Sequence, residues 1–130
     1  MTRKEAREQA FILLFEHSFS GDNAQELISA AEEAEIYTED SFSKQLLSLA
    51  IENITQLNSV ISEFAKGWKI ERLSKVSLAA LRLALTEIIY FDDIPSSVSV
   101  NEAVELIKKY ASEQDASFAN GILGSYLRSL

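Results

Sequence analysis

Apolar residues recur at spacings of three and four along almost the whole chain, the period of helices that bury one face. No stretch alternates with the period of two that a half-buried strand requires. In TRKEAREQAFILLFEHSFSG, Ala6, Ala10, Leu13 and Leu14 fall along one side, and Phe11 and Phe15 widen the stripe. Thr2 and Glu5 have the spacing of a capping box, and Gly21 supplies a stop. A second helix is expected in DNAQELISAAEEAEI, with Asp22 as N-cap and Leu27, Ile28, Ala31 and Ala34 inside.

From Thr38 onward, Phe42, Leu46, Leu49, Ala50, Ile54, Leu57, Ile61, Phe64 and Ala65 keep helical spacing for longer than one ordinary helix, so a break is expected near Asn58. Gly67 and the single tryptophan, Trp68, interrupt the period. Ser74 opens SKVSLAALRLALTEIIYF, which is apolar nearly all round and is predicted to be the most buried helix, with Leu81, Leu85 and Ile88 in the core. Pro95 ends it. Ser99 and Glu102 have capping-box spacing in SVSVNEAVELIKKYA, and Asp115 is expected to cap ASFANGILGSYLRSL. The predicted fold is all-α, about seven helices in two small packed bundles. It forms one domain over residues 1–130, with sub-bundles at about 1–67 and 68–130.

Composition narrows the chemistry. The absence of cysteine excludes disulfides, thiolate metal sites and thiol catalysis, and points to a reducing compartment, the cytoplasm. No apolar run is long enough to cross a bilayer, and EAREQA follows the basic start where an export signal would need an apolar region. His17 has no second histidine and no acid at ligand spacing, Asp92 and Asp93 read as a turn, and no phosphate loop or nucleophile motif occurs. Neither enzymatic activity nor a metal or cofactor is expected.

The net charge is −8, yet its distribution is uneven. Arg3, Lys4 and Arg7 crowd the first helix, where they oppose the positive end of the helix dipole at about 0.3–1 kcal/mol per charge. No lysine or arginine then occurs until Lys44, while Glu16, Asp22, Glu26, Glu32, Glu33, Glu35, Glu39 and Asp40 accumulate. From Lys66 to Arg82 the balance reverses, with Lys66, Lys69, Arg72, Lys75 and Arg82 against Glu71 alone. The residues by themselves leave two readings of the basic start, a solvated helix end or a surface for an external anion.

RKEAREQAFILLFE, LAALRLALTEIIYFDDIPSSVSVNEAVELIKKYA and FANGILG, in this order and spacing, resemble the NusB family of bacterial transcription antitermination factors, from about Arg3 to Leu127. The resemblance implies an all-helical fold and an RNA-binding role. Together with the ribosomal protein NusE, such a protein binds the boxA element of nascent single-stranded RNA. It thereby supports transcription of ribosomal RNA operons by an RNA polymerase elongation complex that carries other Nus factors. It also implies residue roles: Arg3, Lys4 and Arg7, with Gln114 and Phe118, toward RNA, and Phe15, Ser77 and Glu87 at or beside the NusE surface. Glu5 stands where other members often carry arginine, which implies weaker RNA affinity without NusE.

Alternatives remain. The chain could be a self-associating helical module, a homodimer whose interface hides the basic helix, or a detached appendage of an RNA methyltransferase, against which its length counts. Arg82 interrupts an apolar helix and needs a carboxylate, for which Glu102 and Glu105 are internal candidates and an interface with NusE is the sharper alternative. Trp68 is either a junction anchor or, if exposed, an interface residue. Gly121 and Gly124 weaken the last helix, which implies close approach of a neighbour.

Overall fold

In the computed structural model, which describes residues 1–130, the chain folds into helices α1 (Arg3–Ser20), α2 (Ala24–Glu33), α3 (Ser41–Glu52), α4 (Ile54–Phe64), α5 (Lys75–Tyr90), α6 (Ser96–Tyr110) and α7 (Glu113–Arg128). A single 3-10 turn, Ile70–Arg72, lies between α4 and α5. Both arms of the Thr2–Glu5 capping box form, and Gly21 closes α1 with φ of 72°, a conformation that glycine adopts without steric cost. Ser74 caps α5 by accepting from the Ser77 amide.

Other helix ends differ from the sequence expectation, each for a local reason. Asn23, rather than Asp22, caps α2, because its side chain completes a reciprocal capping box with Glu26. The long apolar stretch breaks at Asn53, not Asn58. The Asn53 backbone leaves helical geometry with φ of −112° and ψ of 22°, and its side-chain amide donates back to the Leu49 carbonyl. Because only one residue leaves the helix, the apolar spacing runs on through the break and hides it. Helix α6 starts directly after Pro95, whose fixed φ opens a helix well, so Ser99 lies inside the helix and does not cap it. Ser112 caps α7, which makes Asp115 an acid of the first turn, where the dipole favours it.

Helix α5 is the axle of the fold: it packs against α1, α3, α4, α6 and α7. Helices α2 and α3 complete the group around α1, while α4 lies on α5 and α7. A continuous core gathers side chains from all seven helices. Leu81 and Leu85 have no exposed surface, whereas Ile88, near the end of α5, is only half-buried. The two glycines of α7 do not mark close packing. A Cβ at Gly121 would meet open space, and at Gly124 it would meet only the flexible head of Arg128.

Leu85→Ala removes a fully buried side chain from the helix that touches five others. It is expected to lower the unfolding free energy by about 2–5 kcal/mol in denaturant melts, and a loss under about 0.5 kcal/mol would contradict the central position of α5.

Candidate nucleic-acid and partner interface

The basic start of α1 divides into three fates. Arg7 is drawn inside, 4% exposed, where its Nε donates to Glu87 Oε2 at 2.6 Å and its Nη2 to Glu87 Oε1 at 2.9 Å. Ser99 Oγ of α6 donates to the same Glu87 Oε1 at 3.0 Å, so three helices meet at one buried carboxylate. Arg7 is therefore turned away from solvent, and Glu87, 1% exposed, lies beneath the surface. The physical reason is position. Arg7 shares a face with Ala10 and Leu14 at three- and four-residue spacing, and Glu87 lies on the helix that is buried all round.

Lys4 stays at the surface but is held by Glu102 of α6 at 3.0 Å. Glu8 pairs with Lys109 at 2.7 Å and also accepts from the Tyr110 hydroxyl. Those two hydrogen bonds hold the Glu8 carboxyl below its usual range, and the same contact raises Lys109 and Tyr110. Arg3 makes no ion pair, and its guanidinium lies over the Phe42 ring, 4.0 Å from the centroid. Of the three opening cations, Arg3 alone has no carboxylate partner.

Gln114 and Phe118 lie one helical turn apart at the start of α7 and come together with Trp68. The Trp68 ring meets Phe118 edge-on with centroids 5.8 Å apart, and Trp68 is 54% exposed. The three line a cleft of about 450 Å³ whose other walls include Arg72, Ser77 and Asp115. The cleft is not continuous with the start of α1. Lys4 reaches α6 at Glu102, eight residues or about 12 Å before that helix ends at Tyr110.

The remaining partner candidates divide in the same way. Phe15 is half-buried and packs edge-on with Phe19, which is 67% exposed. Ile12, 39% exposed, lies on the same side of α1. Ser77 is buried and bonded to the Ser74 hydroxyl. Arg82 finds neither Glu102 nor Glu105. Its Nε donates to Asn58 Oδ1 of α4 at 2.9 Å, and burial without a carboxylate lowers its pKa. Sequence reasoning missed the Glu8 contacts altogether, because they join residues about a hundred positions apart.

Comparison with known proteins gives one consistent result. The sequence model of the NusB family matches residues 4–128. The transcription antitermination protein NusB of Alkaliphilus oremlandii is 43% identical over 129 residues, covering 98% of this chain and 94% of its own. That of Natranaerobius thermophilus is 38% identical over 135 residues, covering 100% and 97%. Among solved structures, the chain is similar to a crystal structure of antitermination factors NusB and NusE in complex with dsRNA, with a TM-score of 0.86, 32% identity and coverage of 98% and 97%. It is also similar to the solution structure of NusB from Aquifex aeolicus, with a TM-score of 0.83, 35% identity and coverage of 98% and 88%.

The buried pair yields a thermodynamic expectation. Arg7→Met alone leaves the Glu87 charge buried without its counter-ion, and should cost about 3–5 kcal/mol. Combining it with Glu87→Leu should recover most of that loss, because the desolvation penalty goes with the charge. Denaturant melts of the single and double variants measure this, and equal costs for both would show that the pair is not coupled.

Proposed function

We propose a function for this chain from one established premise: it belongs to the NusB family. It is a transcription antitermination factor that binds the boxA element of nascent RNA together with NusE. The observation that carries this reading is correspondence, over nearly its whole length, to a NusB solved with NusE and RNA. Its place of action is the cytoplasm, on ribosomal RNA operons, within an RNA polymerase elongation complex that other Nus factors complete. No helix is long and apolar enough to cross a membrane. We assign it no catalytic role.

The RNA contacts we propose follow from what each side chain has free. Gln114 offers an exposed amide to base edges, and the ring of Phe118 offers stacking, the usual means of reading unpaired RNA bases. Arg3 and Lys4 supply positive charge to the backbone, Lys4 by leaving Glu102, and exposed ion pairs of this kind hold by only about 0–1 kcal/mol. For NusE we propose the apolar outer side of α1, where Phe15, Phe19 and Ile12 are accessible, together with Arg82, whose two terminal nitrogens make no hydrogen bond within the chain. Glu87 acts from beneath, by fixing α5 against α1, and Ser77, on the cleft wall, by holding the start of α5 through the Ser74 hydroxyl.

A chain of net charge −8 repels RNA overall, so binding should be weak without NusE and stronger with it. Electrophoretic shifts on boxA RNA, with and without NusE, measure this. Equal retention of a scrambled RNA by the two-protein mixture would contradict sequence-specific recognition.

A further inference from the structure

From the end of α4 to the first residue of α5 runs a link that carries Lys66, Lys69, Arg72 and Lys75 within ten residues, all exposed, with Glu71 the only carboxylate among them. None of the four forms an ion pair. This contrasts with the start of α1, where Arg7 is buried on Glu87 and Lys4 is held by Glu102. The segment has a defined shape. Lys66 and Gly67 take φ of 39° and 85°, the Trp68 amide donates to the Ala65 carbonyl, and the 3-10 turn follows before Ser74 caps α5. The reversal at Lys66 and Gly67 sets Trp68 against Phe118 at the mouth of the cleft, with Arg72 on the cleft wall and Asp115 its one acidic neighbour there. Free cations beside the exposed Trp68 and the half-buried Phe118 ring match the two demands of single-stranded nucleic acid, a backbone to neutralise and bases to stack.

We propose that this link, rather than the start of α1, is the principal phosphate-binding surface of the chain. Lys66, Lys69, Arg72 and Lys75 hold the backbone of single-stranded RNA, and Trp68 stacks a base beside Phe118. The assignment rests on the RNA-binding reading above and locates most of its ionic contribution. RNA is favoured over a protein partner because the patch joins unpaired charge of one sign to stacking rings, and an acidic protein would leave the rings without a base.

The test uses the full chain with NusE. Affinity for boxA RNA is measured across a salt series for the unaltered chain, for the quadruple variant Lys66→Gln, Lys69→Gln, Arg72→Gln and Lys75→Gln, and for the double variant Arg3→Gln and Lys4→Gln. The quadruple variant should flatten the plot of log affinity against log salt by up to about 2.8, at about 0.7 per contact, and the double variant by less than half as much. NusE affinity and melting temperature should hold. Trp68, the only tryptophan, gives a second readout without substitution, since a 12-nucleotide oligouridylate should quench its fluorescence and added salt should reverse the quenching. If the unaltered complex binds RNA while the quadruple variant keeps its slope, the link is not the phosphate surface and the RNA reading stands. If the unaltered complex fails to bind RNA, that reading fails, and this assignment with it. Loss of NusE affinity in the quadruple variant would reassign the link to a protein contact.

Discussion

The buried carboxylate of Glu87 is the constraint on which the rest of the structure depends. An ionised carboxylate in a helical core is tolerable only when its lone pairs are met, and here Arg7 supplies two hydrogen bonds and Ser99 a third. The requirement fixes relative position. Helix α1 must place residue 7, and α6 must place residue 99, opposite residue 87 of α5. Apolar side chains alone would let these helices slide by a turn at small cost, whereas a slide here would strand two charges. The polar cluster therefore sets the register of three helices, and α5 carries that register to α3, α4 and α7.

The same pairing decides which positive charges remain for a ligand. An acidic protein that must meet a polyanion has few cations to offer, and several are already matched internally: Arg7 to Glu87, Lys4 to Glu102, Lys109 to Glu8 and Lys44 to Glu39. Surface pairs of this kind are weak and open to competition, but the buried one is not. What remains fully available is concentrated in the link before α5, beside the exposed Trp68. Charge that looks clustered along the sequence at α1 is thus divided by the fold, while charge in the link stays together.

The helical class, the buried identity of α5 and both ends of α1 were legible in the sequence, because they rest on local periodicity and capping spacing. The break at Asn53 was not, since one non-helical residue barely disturbs an apolar repeat. Ser99 and Glu102 imitate a capping box, but Pro95 starts the helix earlier and releases Ser99 to Glu87 and Glu102 to Lys4. The interior position of Arg7 had a signal, its spacing to Ala10 and Leu14, which the flanking Arg3 and Lys4 obscured. The partner of Arg82 had none, because Asn58 lies on a helix whose placement against α5 depends on tertiary packing. Gln114 and Phe118 were expected at one site, and Trp68 joins them only through the turn at Lys66 and Gly67.

If the link holds the RNA backbone as proposed, freedom from internal carboxylates, and not crowding along the sequence, determines which cations meet RNA. Lysine acetylation of the unaltered complex with NusE, mapped by mass spectrometry with and without boxA RNA, tests it most directly. RNA should protect Lys66, Lys69 and Lys75 strongly, Lys4 less, and Lys44 not at all. Protection centred on Lys4, with the three link lysines equally reactive in both states, would contradict it.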